Sequence, residues 1–209
     1  MAIAAYSETD SGNLNATGGS MAVDSGSGSN RMMIIVRLAQ SIGATTTLTY
    51  NTTEIPTNVF EYTNGQDDSI SIWYLVAPST GSNTLTWTSV STRHHRVYAY
   101  VVEGATQSAP EANITNGVVT PNETTAVTSG NLTASSGAWL FGGAEISESA
   151  SAIAPSAGVT EDIEADNANT PTGHYWFAHM EAVASGSNAI TGTATSAGHF
   201  GAGAVSVSP

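Results

Sequence analysis

The sequence predicts an all-β protein, an antiparallel β-sandwich with two pseudo-repeated halves, and three observations lead to this prediction. Turn-forming residues recur about every 8–12 positions, as in sandwiches and barrels. Ser, Thr and β-branched residues are abundant, whereas good helix formers other than Ala are scarce. Apolar residues alternate with polar ones and nowhere keep a helical spacing beyond one turn. A chain of 209 residues can form one such domain, and we expect a single domain over residues 1–209.

The strands of the first half follow from alternation and from turn signals. Residues 31–40 form an apolar run of strand length after a Gly-Ser-rich stretch. Residues 69–77 place Ile70 and Ile72 on one face and Trp73 on the other. Residues 1–30 are interpreted as an irregular N-terminal arm that carries the first strands. The predicted strands of this half are 3–8, 20–23, 31–40, 44–50, 55–62, 69–77, 84–90 and 96–103.

The second half is predicted in the same way after a long connection. Residues 105–129 lack periodicity and contain Pro110 and Pro121, so they are interpreted as the connection between the halves, with a short strand at 117–120. Apolar or alternating runs then resume. The predicted strands of this half are 132–134, 139–146, 158–164, 174–182, 188–195 and 200–208.

The two halves resemble each other in motif order. Trp73 aligns with Trp176, each precedes a Gly-Ser-Asn turn that ends at Asn83 or Asn188, and His95 aligns with His199. The offset of about one hundred residues exceeds the period of about 20–50 residues of solenoid repeats. Chance similarity between strands of like composition is the alternative. We interpret the repeat as a feature of architecture rather than of chemistry.

Composition excludes several classes of function. The chain has no cysteine and therefore neither disulfides nor thiolate metal ligands. It has no lysine, and 4 arginines face 17 carboxylates for a net charge of −13, so we expect no nucleic-acid partner. The N-terminus lacks the basic segment of a signal peptide, and no apolar run is long enough for a membrane span. We therefore expect no signal peptide and no membrane partner.

Four segments together resemble a β-sandwich domain of tailed-phage virion proteins. They read SGSGSNRMMIIVRLA, ATTTLTYNTTEI, DSISIWYLVAPSTGSNTLTWT and RVYAYVVEGA, and the resemblance covers roughly residues 1–105. The sequence departs from that family at 50–52, where the family has a Gly-Gly turn. The resemblance implies a jelly-roll-like sandwich in a capsid decoration or tail-associated protein. Its motifs are strands and turns, so it transfers no catalytic residue.

Histidines and carboxylates are the other candidates for chemistry. His95 and His199, as repeat equivalents, could line a symmetric site. His174 and His179 are five apart, so they face opposite sides of a strand, and a metal at His179 would need a carboxylate such as Glu181. No catalytic residue, no cofactor and no metal ligand is predicted.

Two acidic stretches are candidates for binding a structural Ca²⁺ ion, and the sequence leaves this question open. They are 67–68 and 161–166, and neither has the spacing of an EF-hand loop. For the second stretch we favour a solvated edge strand with protective negative charge. Alternation would then place Glu161, Ile163 and Ala165 on one side.

The aromatic residues divide into core and contact candidates. Trp73, Trp139 and Trp176 lie in apolar strands and are expected in the core. Trp87 lies among threonines and is expected to be exposed. The candidate residues for a glycan or subunit contact are Trp87, Tyr98 and Tyr100.

We therefore expect a non-enzymatic virion structural protein of a tailed virus, a head decoration or turret protein or a tail-associated protein. Its predicted partners are copies of itself in a homotrimer and other virion proteins such as major capsid or tail proteins. Its predicted location is the virion, assembled in the host cytoplasm. Segment 1–30 or 105–129 is expected to anchor it to its neighbours. The alternative is a glycan-binding, lectin-like module of a tail fibre or host-recognition apparatus, with a host surface glycan as partner.

Overall fold

The computed structural model describes residues 2–40, 47–63, 68–112, 124–147, 152–166 and 173–209, which form strands and turns without any helix. The described residues thus include no helix long and apolar enough to cross a membrane. The first half contains β1 (Ala4–Asp10), β2 (Leu14–Asp24), β3 (Met32–Gln40), β4 (Thr47–Tyr50), β5 (Thr57–Thr63), β6 (Asp68–Val76) and β7 (Ser82–Glu103). The second half contains β8 (Glu111–Ala112), β9 (Thr124–Thr128), β10 (Leu132–Ala134), β11 (Ala138–Ser147), β12 (Ile153–Pro155), β13 (Thr160–Asp166), β14 (His174–Val183), β15 (Gly186–Asn188) and β16 (Thr191–Val207).

The two halves share a core of four strands in the same order, β7-β3-β6-β5 and β16-β11-β14-β13, which confirms the predicted pseudo-repeat. Each half forms one 7-stranded antiparallel sheet, with the order β1-β7-β3-β6-β5 in the first and β12-β16-β11-β14-β13 in the second. Strands β2 and β4 also pair with β7, and β8 and β9 also pair with β16. Strands β10 and β15 add a 2-stranded ribbon to the second half alone. The chain is therefore an antiparallel β-sandwich of two similar sheets.

Each half contains one long strand where the sequence predicted two, so that part of the prediction is wrong. The first part of β7 pairs with β2 and β4, and its last part pairs with β1 and β3. Strand β16 likewise pairs with β9 and β12 through its first part and with β11 through its last. Each long strand thus belongs to an outer layer and to a central layer, and the polar residues interpreted as breaks lie inside it.

Three hydrophobic clusters fill the spaces between these layers. The central cluster joins the halves and includes Ile34, Phe60, Tyr100, Phe141 and Phe177. The other two lie within single halves, between the central and outer layers, and contain Trp73 with Trp87 in the first half and Trp176 with Phe200 in the second. Both faces of the central layers are therefore covered, which explains why strand β3 is buried from Met32 to Ala39.

Glycines let the two halves approach closely at the centre. Gly203 of β16 lies under the ring of Phe60, and a Cβ atom there would stand 2.2 Å from Phe60 Cε1. Gly143 of β11 packs next to Leu38, whose Cδ1 would be 3.4 Å from a Cβ at that position. The second half supplies small residues at these positions, and the first half supplies large ones.

The Gly-Ser-Asn motifs close equivalent turns. The amide of Asn83 donates to the carbonyls of Ser79, Thr80 and Gly81, at 3.3, 3.1 and 3.3 Å. The amide of Asn188 donates to the carbonyls of Ala184 and Gly186, at 2.9 and 3.0 Å. Both copies of the motif therefore stabilise a turn in the same way, through the side-chain amide of the asparagine.

The N-terminal arm and the connection both contribute strands. Residues 1–30 carry β1 and β2, which pair with β7. Within 105–129, β8 and β9 pair with β16 and so belong to the second half. The strand predicted at 117–120 lies outside the described residues.

Candidate functional site

A polar cluster lies where the two halves meet. Strands β1 and β7 of the first half provide Glu8, Tyr98 and Tyr100, and strands β13 and β14 of the second half provide Asp162 and His179. One donor atom each of Glu8, Asp162 and His179 lies within 4.8 Å of the other two. The cluster therefore joins residues that are more than 150 positions apart.

A β-bulge directs Asp162 into this cluster. The pairing of β13 with β14 shifts register between Glu161 and Ile163, which leaves Asp162 as the extra residue. Its side chain is 3% exposed and faces Tyr100 and His179. Bulges commonly redirect a side chain in this way. The predicted alternation is wrong for Glu161, because the bulge separates its face from that of Ile163 and Ala165.

Short hydrogen bonds connect the cluster. The Nδ1 atom of His179 lies 2.6 Å from Asp162 Oδ1. The Tyr100 hydroxyl donates to Asp162 Oδ2 at 2.6 Å, and the Tyr98 hydroxyl donates to Glu8 Oε2 at 2.7 Å. On the other side of the imidazole, His179 Nε2 lies 3.4 Å from Glu181 Oε1. Both imidazole nitrogens therefore face carboxylates.

The surroundings shift the pKa values of the cluster. Burial lowers the pKa of His179, but the hydrogen bond and the charge of Asp162, together with Glu181 and Glu8, raise it by more, so the net shift is upward. Burial, with the charge of Asp162, raises the pKa of Tyr100. Burial, with the hydrogen bond to Glu8, raises the pKa of Tyr98. The two phenols therefore stay protonated and act as donors.

Aromatic rings enclose the imidazole. The Trp139 ring stacks on His179 with centroids 5.7 Å apart and an interplanar angle of 7°. Tyr100 meets the same imidazole edge-on at 6.3 Å. Tyr98 stacks on Phe177 across the interface at 5.3 Å. The side chain of His179 is 8% exposed as a result.

A second histidine cluster lies on the outer face of the second half. His174 Nε2 is 2.9 Å from Glu164 Oε1, and His174 Nδ1 is 2.8 Å from Asp166 Oδ1. Asn13 of the first half donates to the carbonyl of Asp166 at 2.6 Å. The side chains of Glu164 and Asp166 are 24% and 63% exposed, so water screens this cluster more than the one at Asp162.

The three predicted contact residues are buried. Trp87 is 1% exposed, and its indole N–H donates to His95 Nε2 at 2.9 Å. The expected exposure of Trp87 is wrong because alternation turns it inward when Thr86 and Thr88 face outward. Tyr98 and Tyr100 are 4% and 1% exposed. None of the three rings offers an open face for stacking on a sugar.

The other polar predictions have mixed outcomes. His95 lies on the face of β7 that carries Val97, in the first-half outer cluster, whereas His199 lies on the face of β16 that carries Val205, in the central cluster. The predicted symmetric site is therefore wrong. Strand β13 is an edge strand, as expected. Of the acidic pair at 67–68, Asp67 and the side chain of Asp68 lie outside the described residues.

The outer layer of the first half presents an uncharged surface, which we call the threonine face. Thr84, Thr86 and Thr88 point outward from β7, and pairing places Thr49 of β4 and Ser20 of β2 on either side of Thr86. The members of the threonine face are Ser20, Ala22, Thr47, Thr49, Thr84, Thr86 and Thr88.

A hollow of about 420 Å³ borders this face. Thr47 and Thr49 line one side of it, and Leu48 and Trp73 also contribute. Ile55 lies at the same hollow and is 75% exposed. Among the described residues, Ile55 is the large hydrophobic residue that is exposed.

Three of the four arginines are buried. Arg31, Arg37 and Arg96 are 8%, 5% and 9% exposed. Arg31 donates to the carbonyls of Gly28 and Ser25, and Arg96 forms an ion pair with Asp10. Within the described part of the chain, no exposed guanidinium offsets the acidic surface.

Comparison of the chain with protein-family models, with curated proteins and with solved structures gives no significant match. The family suggested by the sequence therefore remains a prediction.

Proposed function

We propose that the chain is a non-enzymatic structural protein of a tailed-virus particle, a head decoration or tail-associated subunit. It acts through contacts with copies of itself, as a homotrimer, and with other virion proteins such as the major capsid or tail protein. The resemblance of residues 1–105 to virion sandwich domains supports this proposal. The threonine face is the structural observation that carries it.

The argument for the threonine face is electrostatic. Each copy carries a net charge of −13, so two copies repel each other over most of their surfaces. The seven members of the threonine face are uncharged, so close approach costs less there than over the acidic parts of the surface. Hydroxyl groups can also exchange hydrogen bonds across an interface, as Thr47 and Thr88 do within the face at 2.5 Å. The exposed Ile55 adds apolar area at its border.

Size-exclusion chromatography with light scattering tests this proposal. The wild-type chain is expected at a mass near three times 21.3 kDa, and more completely at high salt, because salt screens the repulsion between copies. Thr86→Glu places a charge in the centre of the threonine face and is expected to give monomers.

Thr133→Glu is the matched control. It adds the same charge to an exposed strand position, on β10 of the second half, and is expected to associate like the wild type. A wild-type monomer at every salt and protein concentration would contradict the proposal. Equal association of the Thr86→Glu and wild-type chains would contradict the role of the threonine face.

A further inference from the structure

The structure assigns a divalent-cation site to Glu8, Asp162 and His179, and we propose that it takes a Zn²⁺-like ion through one imidazole nitrogen and two carboxylate oxygens. The donor atoms come from three strands and lie within 4.8 Å of one another. Imidazole with carboxylates suits zinc and its neighbours better than it suits Ca²⁺ or Mg²⁺. This inference rests on the cluster geometry and not on the proposed virion role.

Each of the three ligands is oriented by a partner of its own. Tyr98 holds Glu8 Oε2 at 2.7 Å, and Tyr100 holds Asp162 Oδ2 at 2.6 Å. Glu181 lies 3.4 Å from His179 Nε2 and can accept its N–H when Nδ1 binds the ion. Outer partners of this kind fix the orientation of metal ligands and raise affinity.

The ion would take the place of the proton between His179 and Asp162. Their facing atoms are now 2.6 Å apart. Two ligands of a tetrahedral zinc ion are separated by roughly 3.4 Å, so the atoms must move apart by under about 1 Å. Glu8 is exposed and can adjust its side chain to complete the set. Because Glu8 is exposed, an ion can reach the site from solvent on this side.

The charges at the cluster favour a cation. Three carboxylates, those of Glu8, Asp162 and Glu181, face a single imidazole. Even with His179 protonated, negative charge exceeds positive charge at this point. A divalent ion would offset the excess, and it would join β1 of the first half to β13 and β14 of the second. Binding requires His179 Nδ1 to lose its proton, so affinity should rise with pH.

Titration calorimetry with zinc chloride, on the full chain after treatment with a chelator, tests the proposal. One saturable site is expected for the wild type and none for His179→Gln. Glu8→Gln removes a charged ligand at an exposed position and keeps an acceptor for Tyr98, so folding should be retained. Its affinity is expected to fall by about tenfold or more.

His174→Gln is the control, because His174, like His179, has a carboxylate at each ring nitrogen, but among the described residues the group of three ligands lies at His179 and not at His174. It should bind zinc like the wild type. The proposal is overturned by a lack of saturable binding, by wild-type affinity in His179→Gln, or by an equal loss in His174→Gln. Tighter binding of Ca²⁺ than of Zn²⁺ would contradict the assignment of a His179 nitrogen as a ligand.

Two-bond ¹H–¹⁵N NMR spectra of the 5 histidines locate the ion. On addition of zinc, the signal of His179 Nδ1 should change to that of a metal-bound nitrogen, while the His174 signals stay in place. At the same zinc concentration, the thermal unfolding midpoint should rise more in the wild type than in Glu8→Gln. Zinc uptake without a change at His179 would show binding elsewhere and contradict the assignment.

Discussion

In the first half, the central strands present large side chains to the interface, whereas the second half presents glycine at paired positions. Val36 pairs with Tyr98 in the first sheet, and Gly143 pairs with Gly203 in the second. The order of the four core strands is the same in both. The comparison shows that the repeat applies to the backbone, while the two faces are complementary in size. Neither half could therefore replace the other at the interface.

The halves also differ on their outer layers. The first half exposes the threonine face, with three outward threonines on β7. In the second half, β16 also turns Thr191, Thr193 and Thr195 outward, but the central one, Thr193, pairs with Ala126 and Ala154. Hydroxyls on both sides of the central threonine are thus a feature of the first half, where Thr49 and Ser20 flank Thr86. This difference is the reason why we place the proposed contact surface on the first half.

Gly203→Val is expected to have the largest effect, because it fills the space that Phe60 occupies. A Cβ atom at this position would stand 2.2 Å from Phe60 Cε1. We expect a loss of about 3 kcal/mol in the free energy of unfolding, measured by urea denaturation. Phe60→Leu should relieve part of this loss in the double variant. Additive effects of the two changes would contradict the complementary packing.

Asp162→Asn is expected to have the next largest effect. The change keeps the shape but removes the charge that faces His179 and accepts from Tyr100. We expect a loss of about 2 kcal/mol, measured by urea denaturation with a chelator present. Glu161→Gln, at the exposed neighbouring position, is the control and should change stability by under about 0.5 kcal/mol. Equal losses in the two variants would contradict the role of the bulge, which directs Asp162 and not Glu161 into the cluster.

The pH dependence of stability isolates the contribution of His179. Although burial lowers its pKa, Asp162, Glu181 and Glu8 together raise it by more, so the folded-state pKa lies above the unfolded value of about 6.5. The stabilisation is complete below pH ~6.5 and is lost as pH rises through the raised pKa. The difference between the wild type and His179→Gln, in chelator, should therefore shrink from pH 6 to pH 8. A constant difference would contradict the charge interaction.

His174→Gln is expected to have the smallest effect. Its partners Glu164 and Asp166 are 24% and 63% exposed, so solvent screens their interaction with the imidazole. A loss below about 1 kcal/mol is expected from the same denaturation series. A loss as large as that of Asp162→Asn would remove the distinction between the interface cluster and the outer cluster.

Local pattern was enough to predict much of the fold. The strand at 132–134 agrees with β10, and the apolar run at 31–40 agrees with β3 to within one residue. The Gly-Ser-Asn repeat indicated equivalent turns, and both asparagine amides close them. These features depend on neighbours in sequence, so sequence alone contains them. The inward direction of Trp87 was also readable, since threonines flank it on both sides.

The interface cluster could not be predicted in the same way. Asp162 reaches His179 only because a bulge breaks the alternation of β13, and a bulge leaves no period to detect. Glu8 and the two tyrosines reach the cluster through the packing of one half against the other. The sequence predicts two strands in place of β7 and two in place of β16. Each long strand passes from the outer layer to the central layer through polar residues, and such residues are typical of a loop.

Hydrogen–deuterium exchange on the chain at low and high protein concentration tests most directly whether the first half provides the contact surface. On association, we predict added protection in β2, β4 and residues 82–89 of β7, which carry the threonine face. Residues 191–195 of β16, the corresponding part of the second half, should exchange at the same rate in both samples. Protection confined to the second half, or none on association, would contradict the account.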